Sequence, residues 1–337
     1  LEEVEMHNIL ELYSGIGGMH CAWNESGLLG RIGAAMDINT VANEVYLHNF
    51  PGTNLITRNI QSLTPEEIKK FKVNVILMSP PCQPFTRNGK YLDNNDPRTN
   101  SFLYLIGILH ELENIEFILM ENVKGFESSI VRNLFLKKLK DCNFDYQEFL
   151  LCPTIIGVPN SRLRYYCIAR KNSLLWNFKR EDEIMTSLPK AYEMPHALDL
   201  ILENDVSDKY LVPDKHLRRG NIFDICYRDS KRSCCFTKAY THYVDGTGSL
   251  FTEKSPEVVK ECFEKANSFE YGSEDYIKTV KQLKLRFFTP SEVLSLMTFP
   301  NMYSFPDTVT TRQCYRLLGN SVNIKVISEL LKILFDQ

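Results

Sequence analysis

The stretch "VNVILMSPPCQPFTRNG", residues 73–89, changes character halfway along. Val73 to Ser79 is a mostly apolar run of strand length, the pattern of a strand covered on both faces. Pro80, Pro81 and Pro84 then fix φ and remove backbone donors, so the chain cannot continue as helix. Cys82 stands between them. A side chain on such a corner is presented to the space beyond the strand end. Most of the ten cysteines are expected to be small buried hydrophobes. The placement of this one therefore asks for a reason.

The same alternation of periods runs outward on both sides. Strands are predicted at 8–13, 31–36, 115–120, 144–151 and 164–170, the last two as an antiparallel pair. Helices are predicted from the end of the first strand to Leu28, and over 39–50, 99–114 and 128–141. Strands alternating with helices imply an α/β fold with a doubly wound, mostly parallel sheet. From about residue 172 the texture becomes charged and irregular, with a helical, Lys/Glu-rich stretch at 253–284. Compact order resumes in "FFTPSEVLSLMTFP", where Thr289, Pro290 and Glu292 supply a cap, a first-turn proline and a capping-box carboxylate. An amphipathic helix carrying Val322, Val326, Leu330 and Ile333 closes the chain. The expected organisation is a main domain of residues 1–171 and 283–337 interrupted by a smaller inserted domain, 172–282.

Composition excludes some classes. The chain has 337 residues, 44% of them hydrophobic, and a formal net charge of −3. An overall basic charge is missing, although a local basic patch is compatible with that total. No apolar run has signal-peptide or membrane-span length, which leads us to expect a cytoplasmic protein, with the nucleus as an alternative. No C-x-x-C pair and no histidine pair at zinc-like spacing occurs, so no metal is expected.

Ligands of open parallel sheets sit beyond the carboxyl ends of the strands, and the suspicious residues collect there. "YSGIGGM" follows the first strand with Gly15, Gly17 and Gly18, where a ligand could approach the backbone. Asp37 follows the second strand and suits either ribose hydroxyls or the cap of the next helix. Cys82 follows the third. Glu121 follows the strand at 115–120, where a buried carboxyl would hold its proton and could donate it. Arg162 and Arg164, two apart on a predicted strand, would point the same way, toward a carboxylate, a phosphate or a base edge.

Taken in order, "YSGIGG", "PPCQPF", "ENV", "NSRLRYY" and "RLLGNSV" resemble the motif series of the S-adenosylmethionine-dependent cytosine carbon-5 methyltransferases. The resemblance covers nearly all the chain except the middle segment. It implies a Rossmann-like methyltransferase fold with an inserted target-recognition domain. It also implies that Cys82 is the nucleophile, adding to carbon 6 of the base, with Glu121 at the neighbouring ring nitrogen and Arg162 and Arg164 near the pyrimidine. For the cofactor it implies Tyr13, Ser14, Gly15, Ile16 and Gly18, with Asp37 on the ribose and Ile38 beside the adenine. Asn59 and Ile60 stand where the family usually has Asp-Ile. Ser79, Pro81, Asn320, Ser321 and Val322 complete the cleft.

The "CFTKAYTHYVDGTGS" element is most similar to one branch, which has DNA-methyltransferase architecture and methylates tRNA-Asp. The partners implied are therefore tRNA or, as the rival, DNA, with no membrane and no metal. Lys231, Arg232, Phe236, Thr237, Lys238 and Tyr240 are the expected substrate contacts, a mixture of basic and aromatic side chains suited to single-stranded loops. The other reading of that run is a strand and turn packed on the main domain. A catalytically weak nucleic-acid binder and a cysteine hydrolase are the competing classes. Cys82, Glu121 and both arginines weigh against the first. The absence of histidine from the strand-end motifs weighs against the second.

Overall fold

A computed structural model of the chain describes residues 6–81, 100–190 and 197–336. Strands β1 (His7–Leu12), β2 (Gly30–Asp37), β3 (Leu55–Thr57), β4 (Val75–Met78), β5 (Phe117–Val123), β6 (Phe144–Leu151) and β7 (Arg164–Lys171) form one sheet. Its order is β3-β2-β1-β4-β5-β7-β6. The first five strands are parallel, whereas β7 runs antiparallel to both β5 and β6. The order reverses between β1 and β4. Crevices open at such a point, so the turns after β1 and β4 share one edge.

Strand periodicity divides the core in two. Ile9, Val75, Leu77, Phe117, Leu119 and Ile168 face one side. Leu10, Ile76, Met78, Ile118, Met120 and Cys167 face the other. Helices α1 (Gly18–Ser26) and α2 (Thr40–Asn49) pack on the first side, while α3 (Pro65–Lys70), α4 (Asn100–Ile108) and α5 (Ile130–Asp141) pack on the second. Each fully buried aliphatic side chain here contributes roughly 1.5–3 kcal/mol, and both faces are needed. Asn39 caps α2 and Ser129 caps α5 through their side chains. The helix read through Leu28 stops at Ser26, because Gly27 adopts φ 74°. The one read over 99–114 tightens into a 3₁₀ turn at Leu109–Glu111.

After β7 come α6 (Asp214–Leu217), β8 (Ile225–Cys226), β9 (Leu250–Phe251), α7 (Pro256–Ala266), α8 (Glu274–Val280) and β10 (Arg286–Phe287). The helical stretch at 253–284 is thus two helices. The three strands make a small sheet in the order β10-β9-β8. Its Leu250, Phe251 and Phe287 join the same core as α1. Helix α9 (Pro290–Leu296) carries the expected capping box, with the Thr289 and Glu292 bonds both made. Helices α10 (Thr311–Gly319) and α11 (Ile324–Phe335) follow. Helix α11 returns to β1, where Phe335 meets His7, Trp23 and Phe117 edge-on or tilted at 4.3–5.3 Å.

Gly319 ends α10 against the segment that follows Cys235. A methyl group there would lie 2.1 Å from the Lys238 amide nitrogen and 2.4 Å from the Thr237 carbonyl carbon. Both neighbours are backbone, so no rotamer change relieves the clash. Gly319→Ala is expected to destabilise the fold by about 1–3 kcal/mol, the range for overpacking. Urea unfolding of the two proteins side by side checks it; equal midpoints would contradict the close approach.

Candidate active site

The turn after β1 is shaped by three bonds. Ser14 donates its amide to the Met36 carbonyl (3.1 Å) and Gly17 to the Ser14 carbonyl (2.8 Å). The Gly15 amide donates to Asp37 Oδ2 (2.9 Å). Gly17 has φ 83°, and a side chain there would strike the Phe50 ring at 2.8 Å, so glycine is required twice over. Asp37 Oδ1 also accepts the Asn39 amide (2.8 Å). Asn39, rather than Asp37, caps α2, which removes the capping explanation for Asp37. Each carboxylate oxygen keeps a lone pair free for a ligand hydroxyl.

These residues line a cavity of about 350 Å³ at the switch point, within the range of small-molecule sites. Tyr13, Ser14, Gly15, Ile16, Gly18, Asp37 and Ile38 form one wall. Ser79 and Pro81 come from the end of β4, Glu121 from β5, and Asn320, Ser321 and Val322 from the link between α10 and α11. Two features are unfinished without a ligand. The Ser14 hydroxyl is buried with no hydrogen-bond partner among the described residues. Ile38 is 66% exposed although it lines a cleft. An apolar face beside a carboxylate and a free hydroxyl fits a nucleoside. Asn59 and Ile60 do not line the cavity: the Asn59 carboxamide caps a 3₁₀ turn through Gln61, and Ile60 is buried in the core. Asn39 and Leu317 line it as well; Leu317 lies within the "RLLGNSV" motif, where only Asn320, Ser321 and Val322 are expected at the cleft.

At the far end the cavity becomes charged. Glu121 is 7% exposed, and Arg164 Nε lies 3.5 Å from its Oε1. Burial raises the Glu121 pKa, and Arg164 and Arg162 only partly offset that. The carboxyl thus keeps its proton to higher pH than an ordinary glutamate. Asn122 Nδ2 reaches the Pro80 carbonyl (3.4 Å), fastening the segment that leads to Cys82. Cys82 itself lies outside the described residues.

Arg162 departs from the expected strand pair. It precedes β7, is buried, and aims its guanidinium at protein atoms. It donates to the carbonyls of Gly319 (3.2 Å), Phe236 (3.3 Å) and Ser321, and to Cys235 Sγ (3.4 Å). Arg164 also approaches Cys235 Sγ (3.7 Å). Burial alone would raise the Cys235 thiol, but the two guanidiniums outweigh it and hold the thiol below its ordinary pKa. Cys235 had entered the reading only as part of a sequence element; its position between two arginines depends on the fold.

Two of the expected substrate contacts are core residues instead. Phe236 and Tyr240 are each 3% exposed. They stack edge-on with each other and with Phe287, Phe288 and Tyr315, and the Tyr240 hydroxyl donates to the Ser249 carbonyl (2.6 Å). Burying these rings gains more than leaving them on the surface would. Arg232 is exposed but ion-paired with Asp224 at 2.8 Å. Lys231 is exposed, while Thr237 and Lys238 line a second cavity beside the first.

A cavity with an open carboxylate and hydroxyl, joined to a buried carboxyl–arginine pair at the switch point of such a sheet, fits an enzyme that acts on nucleotides. The chain belongs to the C-5 cytosine-specific DNA methylase family, whose model matches residues 7–336, and it is accordingly a methyltransferase acting at carbon 5 of cytosine. It is 70% identical over 330 residues to the tRNA (cytosine(38)-C(5))-methyltransferase of Spodoptera frugiperda, covering 98% of this chain and 99% of that one. It is 38% identical over 374 residues to a DNA (cytosine-5)-methyltransferase of Dictyostelium discoideum, covering 98% of this chain and 95% of that one. The crystal structure of a Spodoptera frugiperda DNMT2 triple mutant superposes with a TM-score of 0.93 at 69% identity, covering 98% of this chain and all of that one.

Glu11, at the end of β1, supports the turn from behind. It is fully buried; its Oε2 accepts the Tyr46 hydroxyl (2.7 Å) and its Oε1 the His20 amide (3.3 Å). Burial pushes its pKa up to about 8, against the lowering effect of those bonds. The folded state therefore binds this proton more tightly than the unfolded chain. Its contribution to stability is full below the ordinary carboxyl pKa and is lost as pH rises through the folded value. Glu11→Gln should flatten this loss, so that its stability relative to the parent increases between about pH 5 and pH 8. Urea titrations across that window test it, and a difference independent of pH would contradict a protonated Glu11.

Proposed function

We propose that the protein transfers the methyl group of S-adenosylmethionine to carbon 5 of a cytosine in the anticodon loop of tRNA-Asp, through a covalent adduct on Cys82. What carries the reading is the likeness over almost the whole chain, at 70% identity, to an enzyme named for cytosine 38 of tRNA. The residues of the first cavity fit the cofactor. Asp37 would accept its ribose hydroxyls, Ile38 would cover the adenine, and the unpartnered Ser14 hydroxyl would take a polar group. When bound, the cofactor supplies an electrophilic methyl group on a sulfonium.

Cytosine carbon 5 is a poor nucleophile. Addition of the Cys82 sulfur to carbon 6 would make it an enamine carbon, splitting one hard step into easier ones. Glu121, whose carboxyl burial shifts toward higher pKa, would donate to the ring nitrogen beside the amino group, and Arg164 holds that carboxyl in place. Loss of the carbon-5 proton and cleavage of the sulfur–carbon bond then release the product. Residues 172–282 serve as the target-recognition part. A loop cytosine is already partly unstacked, so extracting it costs less than extracting one from a duplex.

Two outcomes test the reading. Cys82→Ala should still bind S-adenosylmethionine in a calorimetric titration while retaining less than about a hundredth of the transfer rate, a scale set by general acid–base contributions; a faster variant would sink the covalent mechanism. Parallel reactions on tRNA and duplex DNA, followed by bisulfite sequencing, should mark one cytosine in the anticodon loop of tRNA-Asp. Efficient marking of DNA with tRNA left untouched would promote the DNA reading, which the Dictyostelium relative's name supports.

A further inference from the structure

Two other arginines of the chain close on a buried carboxylate with both arms. Arg132 reaches Glu148 through Nε (2.8 Å) and Nη2 (2.5 Å). Arg286 reaches Glu292 through Nη1 and Nη2, both at 2.8 Å. Arg164 treats Glu121 differently. Its Nε stands 3.5 Å from the carboxyl, too long for a charge-assisted hydrogen bond. Its Nη1 donates to the Leu163 carbonyl (2.9 Å), and its Nη2 turns to Cys235 Sγ (3.7 Å). Arg162 Nη1 points at the same sulfur from 3.4 Å.

Both guanidiniums therefore converge on one sulfur. Arg162 is buried, and the Arg164 side chain nearly so. Two buried cations this close repel each other and need a counter-charge. Burial disfavours the Arg164 cation, and Cys235 first, then Glu121, more than offset that. A neutral Cys235 thiol would find little to take its proton. The Phe236 carbonyl is 3.8 Å away and already accepts Arg162 at 3.3 Å. The other charges around the sulfur do not replace it. Tyr166, opposite Glu121 in the strand register, is kept neutral by burial. The wall that Cys235 shares with the second cavity carries Lys215, His216, Arg219, Lys238 and His242, against Asp245 as the one acid among the described residues. Burial holds His216 below its ordinary pKa.

We propose that Cys235 serves the methyl transfer as an anion, a positioning residue that holds both guanidiniums on its sulfur and keeps Arg164 from closing on Glu121, whose carboxyl stays free to protonate the base. The proposal rests on the role given to Glu121 above. It accounts for the missing fork. An ionised Glu121 alone with Arg164 would draw both arms, as Glu148 and Glu292 do. It also balances the charges along the reaction. Before transfer the thiolate offsets one of the two cations, the thiol proton having gone to solvent. Once the Glu121 carboxyl gives its proton to the ring nitrogen, it becomes the second anion, and cations and anions match one for one. The arrangement thus favours the state in which the base is protonated.

The test uses the full-length chain, S-adenosylmethionine and a tRNA-Asp transcript. On the basic side of its pH profile, kcat/KM should fall as Glu121 loses its proton. Cys235→Ser cannot form the anion, so the guanidiniums act on the carboxyl unopposed. Its basic limb should move to lower pH by about one unit or more, the shift a nearby charge produces. Cys235→Asp restores an anion and should return the limb toward the parent position. An unmoved limb in Cys235→Ser would overturn the proposal, as would equal shifts in both variants, which would mark a packing role. The infrared band of the protonated carboxyl, assigned by its loss in Glu121→Gln, should titrate with the same displacement and needs no turnover. If Glu121→Gln keeps the parent's basic limb, the role given to Glu121 fails, and the infrared titration still decides the counter-charge. If only duplex DNA is methylated, the substrate reading fails, and the same profiles are read on DNA. Should the Cys235 variants not fold, the Cys82→Ala protein should show the ultraviolet absorbance of one thiolate per chain near neutral pH; its absence would overturn the proposal.

Discussion

The guanidinium of Arg162 holds the active cleft together. It is a buried cation whose hydrogen bonds end on two other stretches of chain: Cys235 and Phe236 beyond β8, and Gly319 and Ser321 at the end of α10. Removing one partner from a buried charge costs about 3–5 kcal/mol, because the charge left behind is uncompensated. A lysine could not substitute, since one ammonium cannot reproduce a planar fork of donors. The same charge helps to depress the Cys235 thiol and limits the rise in the Glu121 pKa. One side chain therefore fixes where the segment after β7 sits and shifts the pKa values of Cys235 and Glu121.

The geometry around it explains why the glycines occur where they do. Gly319 admits the Thr237–Lys238 backbone to van der Waals range of α10. Gly17 lets the turn after β1 pass the Phe50 ring. Tyr303 closes the same turn from another direction, its hydroxyl donating to the Ile16 carbonyl. Segments nearly three hundred residues apart in sequence thus meet at one sheet edge, joined by a side-chain hydroxyl on a backbone carbonyl.

The strands were legible because their side-chain period is two and each face has its own core. Ile9 and Leu10, or Val75 and Ile76, point into opposite layers. The strand-end motifs were legible for a different reason: glycine, proline and isolated charges interrupt that period. What could not be read was partner choice. Phe236 and Tyr240 look like surface aromatics in a basic run, yet they form edge-on contacts with residues 287, 288 and 315. Arg162 and Arg164 share a spacing of two, but strand geometry begins only at Arg164, and Arg162, two residues before it, is buried against backbone carbonyls. Asn59 sits at a cofactor-motif position and serves its own 3₁₀ turn instead. In each case the deciding contact lies far away in sequence or depends on where an element starts.

Charge distribution reconciles a near-neutral chain with a polyanionic substrate. A net charge of −3 gives little long-range attraction. Within the segment after β7, Asp199, Asp214, Asp224 and Glu253 neutralise the cations beside them. Lys215, Arg219 and Lys238, and likewise Lys209, Arg218, Lys231 and Lys254, are exposed and form no ion pair among the described residues. Such a surface binds weakly unless the ligand's shape brings several phosphates to these cations at once. A folded loop that bends around an extruded base meets that condition better than a straight duplex.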